Sequence, residues 1–338
     1  MASFKRLFLL IAVLSITTLP QLAHAGGGEE GNEEGFNITE MIMHHVMDAH
    51  EWEFFTIDGK AYALYLPVIL WTDEGLEVFS SSHFYHSEDH TYKNYELHHE
   101  KIYYTDREGK PLDLSITKNV VSMFLSAILL ILVFTNIASA YQKRKGQAPK
   151  GIQSFFEPII EYLINDMIRP NIGEKKYQRY VPFILTLFFF IFFNNLLGLI
   201  PTGANTSGNI AFTGVLAIFT LFTVAFSANK HYWRHMFAMP GIPPLVLVIL
   251  TPIEILGFFI RPAVLMIRLF ANITGGHTII LSLLGLIFIS KQVLVGIPVT
   301  IFTIPMMFLE LFVAFLQAYI FALLSTLYIA QATEEAHH

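Results

Sequence analysis

The 338-residue sequence contains no cysteine, which excludes disulfides, thiolate metal sites and thiol catalysis. Charge is scarce: Asp, Glu, Lys and Arg together make up 14% of the chain, against about 25% in soluble domains. Positive charge is not in surplus either. A net charge of −6 and a pI near 6.1 argue against a nucleic-acid partner. The phosphate-cradling pattern G-x-x-x-x-G-K-[ST] does not occur, so nucleotide chemistry of that kind would have to come from partners. What is there is apolar. The AVILMFWYC set reaches 54% and mean hydropathy is +0.51, which rules out a disordered chain and argues against an ordinary soluble enzyme.

The pattern changes along the chain. Lys5 and Arg6, an apolar run from Leu7 to Leu14, and Ala23-His24-Ala25 before a glycine run read as a secretory signal peptide over residues 1–25. Residues 26–118 are polar, aromatic and histidine-rich. Strand-like runs at 51–57, 61–71 and 101–105 are broken by Asp58-Gly59, Glu74-Gly75 and Glu108-Gly109, so a small β-meander is expected there. Its eight histidines are His44, His45, His50, His83, His86, His90, His98 and His99. Imidazole is a common metal ligand, but the spacings are weak evidence, and a polar domain packing on partner subunits is the preferred reading.

Residues 119–142 carry no charge and are long enough to cross about 30 Å of hydrocarbon. Lys143, Arg144, Lys145 and Lys150 follow at once, which places that loop in the cytoplasm and the histidine-rich domain outside. Residues 151–173 alternate at helical spacing between apolar and polar faces, as an interfacial helix does. Residues 180–229 are uncharged with polar punctuation in the middle, as a hairpin of two spans requires. The remaining stretches, 241–290 and 292–332, are each too long for one upright crossing. Either they fold back or they form long tilted helices, and periodicity does not choose.

Charges inside these last stretches are the candidate functional groups. Glu254, Arg261 and Arg268 are seven residues apart, so a helix places them near one face, and Asn272 lies one turn further on. Glu310 and Gln317 repeat that spacing on the final segment. Two apolar helices with facing polar stripes would make a water-accessible path. Arginine at mid-membrane costs about 2.5–3.5 kcal/mol on insertion scales and cannot shed its proton, so Arg268 needs an anion, water or carbonyls. His277 and Glu310 are residue types whose protonation can be tuned near neutral pH.

The run from Ile267 to His277, Ile-Arg-Leu-Phe-Ala-Asn-Ile-Thr-Gly-Gly-His, resembles the Arg-Leu-Phe-x-Asn-x-x-x-Gly signature of subunit a of the F-type ATP synthase. Pro252-Ile253-Glu254 through Arg261-Pro262, Leu316-Gln317-Ala318-Tyr319-Ile320-Phe321, and Asn195 to Pro201 with Thr206-Ser207-Gly208-Asn209 are similar to further stretches of that family in the same order. The resemblance covers roughly residues 115–332. It implies an all-α polytopic membrane protein of about five membrane helices. The last two would be long and tilted. The interfacial amphipathic helix and the small extracytoplasmic β-rich N-terminal domain are read from the residues, the latter outside the resemblance.

The resemblance also implies residue roles. Arg268 would face the carboxylates of a rotating c-ring, and Glu310 with His277 would form an acid–histidine pair on the outer half-channel. Asn272 and Gln317 would be polar groups beside the arginine, and Glu254 and Arg261 would lie toward the inner half-channel. Gly257 and Val264 replace small hydroxyl residues found in some members. The implied partners are the c-ring, peripheral-stalk subunit b, the rest of the complex and the bilayer, with no cofactor. The implied location is the cell inner membrane with a cytoplasmic C-terminus. A secondary transporter using an Arg/Glu substrate site is the main rival, although no inverted repeat is visible. A membrane sensor with a metal-binding outer domain is a second, although the cytoplasmic segments are too short for an output domain.

Overall fold

A computed structural model describes residues 47–57, 60–87, 89–200, 203–239, 242–290 and 292–334. The signal peptide read at 1–25, His44, His45 and the Asp58-Gly59 turn lie outside the described residues.

The first part is a β-rich unit. Its strands are β1 (Glu51–Ile57), β2 (Lys60–Tyr65), β3 (Pro67–Thr72), β4 (Gly75–Ser80), β5 (Thr91–Tyr92), β6 (Tyr95–His98), β7 (Lys101–Tyr104) and β8 (Leu112–Asp113), with a short helix α1 (Ser82–Tyr85) after β4. The strands form three small antiparallel sheets, β1-β2, β4-β3-β8 and β5-β6-β7, rather than one meander. The run expected at 61–71 divides at Leu66, whose amide donates to the His50 carbonyl and to Ser81 Oγ. Those bonds hold a corner where one continuous strand was expected. Alternation then does the sorting. Along β3, Val68 and Leu70 point inward and join Phe84, Tyr95, Leu97 and Ile102 in a small core, while Trp71 is exposed.

The second part is helical: α2 (Lys118–Lys143), α3 (Ile152–Tyr162), α4 (Arg169–Ile172), α5 (Tyr177–Gly198), α6 (Ile210–Ser227), α7 (Lys230–Phe237), α8 (Pro244–Ser290) and α9 (Val293–Thr333). Among the described residues, five helices, α2, α5, α6, α8 and α9, are long and apolar enough to cross a membrane. The amphipathic segment is not one regular helix. Residues Leu163–Ile168 widen into a π-turn between α3 and α4, and Leu163, Met167 and Ile168 sink into the core there.

In lipid, helices associate through packing more than through exclusion of water. The buried face of α9 carries small residues at near-helical spacing, Ala314, Ala318, Ala322 and Ser325, and α5, α6 and α8 pack against this helix. Phe188, Phe189 and Phe321 fill the core between them. The far end of α9 is tied down. Lys176 Nζ and the Asn229 side-chain amide both donate to the Thr333 carbonyl at 2.9 Å, and the Asn229 backbone amide donates to Ala332 O at 2.9 Å. The ends of the bundle are therefore distinct: one adjoins the β-rich unit, the other the loops near Lys176 and Asn229.

Candidate functional site

Helices α8 and α9 run antiparallel, and three cross-pairs set their register. At the end near Lys176, Arg261 Nη1 donates to Gln331 Oε1 at 2.8 Å. In the middle, Asn272 Nδ2 donates to Gln317 Oε1 at 2.9 Å. Toward the β-rich end, Gly276 faces Glu310 so closely that a Cβ on the glycine would sit 3.2 Å from Glu310 Oε1. Each step toward the β-rich unit along α8 is matched by a step back along α9, which is what paired straight helices dictate.

These contacts decide where the candidate residues fall. Glu310 and His277 are both buried and line one cavity of about 440 Å³ with Leu199, Ile280, Leu281 and Met307. Glu310 Oε1 is buried with no hydrogen-bond partner among the described residues. Gln317 is buried too, and its carbonyl is occupied by Asn272. Arg261 bonds Gln331 and lies 5.8 Å from the Tyr328 ring rather than forming an ion pair with Glu254.

Arg268 differs from the rest. It is exposed, on a face of α8 that also exposes Ile253, Leu256, Ile260, Val264 and Ile267. No hydrogen bond or ion pair within the chain holds its guanidinium among the described residues. The facing polar stripes expected from sequence therefore meet at Asn272–Gln317 and at Glu310, while Arg268 stands on the outer surface of the helix pair. By helix rise it lies about 12–14 Å along the axis from the Gly276–His277 level. It separates that level from Arg261, about 10 Å away on the other side.

A second group of polar residues was missed in the sequence. Ser122 and Ser126, four apart on α2, are fully buried, and neither hydroxyl has a partner among the described residues. Asn119 Oδ1 and Asn194 Oδ1 share that condition, as do Asn205 Nδ2 and Thr206 Oγ1 in the short turn at Thr206–Gly208. Helices α2, α5 and α8 all pack on that turn, where Ser207 Oγ donates to Asn195 Oδ1 at 2.6 Å and Asn195 Nδ2 donates to Ala314 O at 3.0 Å. Buried polar atoms without partners take ordered water when there is room, which makes these atoms candidates for a wettable route near the β-rich end. The available signal was a serine pair at helical spacing in the first half of the span, where the residues from Val120 to Phe134 are otherwise apolar.

Several of the described outer histidines make ring contacts. His83 stacks on Tyr92 at 4.2 Å, His86 leans on Tyr65 at 5.1 Å, and His98 meets His99 edge-on at 4.2 Å. No cluster of three or more His, Asp or Glu side chains suited to a metal occurs among the described residues.

Comparison with known proteins matches residues 120–330 to the family described as ATP synthase A chain, and residues 41–123 to one described as Domain of unknown function (DUF8433). Similar curated proteins include "ATP synthase subunit a 2" of Chlorobaculum tepidum, 47% identical over 228 residues, 65% of this chain and 64% of that protein. "ATP synthase subunit a" of Chloroherpeton thalassium is 43% identical over 233 residues, 67% of this chain and 69% of that protein. "ATP synthase subunit a" of an Anaeromyxobacter species (strain Fw109-5) is 34% identical over 325 residues, 93% of this chain and 74% of that protein. The match thus spans somewhat under two thirds of the Chlorobaculum protein's length. With a family match over most of the helical part and a relative aligned along nearly the whole sequence, the chain belongs to the ATP synthase subunit a family.

Proposed function

We propose that the chain is the ion-translocating stator subunit of a proton-driven F-type ATP synthase, with Arg268 facing the carboxylates of a c-ring. The observation that carries this reading is the placement of Arg268. It is a permanent cation on an exposed, apolar, membrane-spanning face, with no counter-ion in its own chain among the described residues. An anion must come from a neighbour, and a ring of hairpin subunits with mid-membrane carboxylates supplies one.

The rest of the mechanism follows from charge and water. A proton enters from the β-rich side through the wettable route and reaches Glu310 and His277. It then neutralises a ring carboxylate. A neutral site can turn into lipid, whereas an ionised one cannot, because its desolvation costs several kcal/mol. After nearly a full turn the site meets the second half-channel, near Glu254 and Arg261, and loses its proton. Arg268 stabilises the ionised carboxylate between the channels and repels a proton that would cross directly. Each charge crossing 100 mV releases about 2.3 kcal/mol, so one ATP needs several, which a ring provides.

Helices of 47 and 41 residues reach about 70 and 60 Å, twice the hydrocarbon thickness, so α8 and α9 lie steeply tilted along the ring. The β-rich unit lies outside a cell inner membrane and the Lys143–Lys145 loop inside, by the positive-inside bias. The exposed sheet face of Trp71, Leu76, Val78 and Leu112 supports packing of that unit on a neighbouring subunit. Peripheral-stalk subunit b completes the stator.

The test is Arg268→Ala in the assembled complex. ATP-driven proton pumping into vesicles is expected to vanish while the complex still purifies with its ring. Coupled pumping at the wild-type rate would overturn the reading, and substrate uptake by the purified chain alone would favour a carrier.

A further inference from the structure

The β-rich unit and the first span meet along a hydrogen-bonded seam. Lys118 N–H donates to Ala49 O at 3.1 Å, Asn119 N–H donates to Asp48 Oδ1 at 3.2 Å, and Ile116 N–H donates to Pro67 O at 3.1 Å. The unit is therefore fixed on the end of α2.

Ionisable groups gather at this seam. Lys118 is only 8% exposed, and its charge acts on Asp48, Glu51 and Glu100 above it and on His277 of α8. Glu51, also 8% exposed, opens β1. Glu100 is half-buried and accepts the Tyr85 hydroxyl proton at 2.8 Å. It sits at the tip of the β6–β7 hairpin, where His99 and Glu100 both hold positive φ, 48° and 58°. A two-residue turn of this kind favours Asn-Gly, so a glutamate there is held against its backbone preference. Directly beyond Lys118 along α2 come the unpartnered atoms Asn119 Oδ1, Ser122 Oγ and Ser126 Oγ, on side chains more than nine-tenths buried.

We propose that this seam is the proton inlet of the outer half-channel: Glu51 and Glu100 take protons from the outer water and pass them, beside Lys118, to water held along α2 and on to His277 and Glu310. The proposal rests on the reading of His277 and Glu310 given above. Each proton leaving a seam carboxyl is replaced from outer water, so the carboxyls end unchanged. Asp48, Glu51 and Glu100 together offset the Lys118 charge, so a proton can pass beside it. Burial supports exchange at neutral pH. It pushes the Glu51 carboxyl up to about 7, helped by the charges of Glu100 and Glu53 and opposed by Lys118. Burial likewise raises Asp48, against the hydrogen bonds of Asn119 and the field of Lys118.

The experiment is ATP synthesis by the whole complex in proteoliposomes at fixed driving force, read against the pH on the β-rich side. E51Q is expected to lower the rate about threefold to tenfold at pH about 8 and less than twofold at pH about 6, where protons are plentiful, with E51D near wild type. E100Q, at an accessible turn, should show the same pH-selective loss and decides the matter if E51Q does not assemble. Profiles for the Gln variants that superimpose on wild type, with R268A silent at every pH, overturn the inlet alone. A coupled R268A overturns the reading beneath it.

Discussion

The two halves of the molecule differ in how many buried polar atoms lack a partner among the described residues. In the β-rich unit, most polar side chains find partners: Tyr95 and Lys93 both donate to Glu77 at 2.8 Å, His50 Nε2 pairs with Asp113 at 3.1 Å although its Nδ1 has no partner among the described residues, and Ser115 Oγ accepts the Ile69 amide at 3.0 Å. In the helical part, hydroxyls and amides at the β-rich end lie buried with no partner among the described residues, and so does one oxygen of Glu310. An unmade hydrogen bond is more costly in an apolar span than near water, roughly 1–3 kcal/mol by mutational measures, so unpartnered groups persist there only if something wet satisfies them. Under the proposed function, the difference separates a region built for shape from one built to conduct.

The largest effect that would break this contrast is at Glu310. Glu310→Gln keeps the volume but removes the exchangeable proton, and proton flux through the membrane sector should fall by about one to two orders of magnitude. Passive proton conduction in vesicles stripped of the catalytic head measures it. Next comes Gly276. A methyl there meets Glu310 Oε1 at 3.2 Å, so Gly276→Ala should displace the carboxyl and cut flux several-fold even though alanine is the better helix former by about 1 kcal/mol. A more stable helix with slower conduction sharpens the contrast, and unchanged flux would mean the carboxyl's position is irrelevant.

Ser126 distinguishes a wet route from a flaw in packing. Ser126→Leu should slow flux by about threefold or more if water stands there. If conduction is unaltered and the complex simply melts higher, the orphaned hydroxyl was only a defect.

The smallest effect concerns stability. The Glu51 carboxyl is raised to about 7, so the folded seam binds more protons than the unfolded chain between about 4.5 and 7. The sign follows: stability at the seam declines as pH rises through that window. Amide exchange at residues 47–53 and 117–122 of the intact complex should therefore quicken modestly from pH 5 to pH 8 beyond its intrinsic pH dependence, and E51Q should flatten the trend.

Much of this was legible in the chain. Five apolar stretches are visible because lipid tolerates few charges, and they emerge as α2, α5, α6, α8 and α9. The seven-residue spacings group Glu310 with Gln317 and Arg261 with Arg268, while the bond from Asn272 to Gln317 appears only in the fold. Periodicity assigns a face but not what that face meets: the polar stripe read on this helix divides, with Asn272 bonded to Gln317 and Arg268 on the exposed side. Gly276 looked like part of a motif, yet its use is to make room for Glu310, a long-range contact no local pattern encodes. Lys118 read as the boundary of a span; only the fold brings it under Glu51 and Glu100. The small sheets were read too simply, because strands of two to four residues leave almost no alternation to detect.

The clamp on the last carbonyls of α9 has a mechanical consequence. A long rod loaded from the side bends unless it is braced. Lys176 and Asn229, from two different loops, grip the same foot of α9 at Ala332 and Thr333. Under the proposed function, a sideways load from a neighbouring ring would then be borne by the whole bundle instead of by α9 alone.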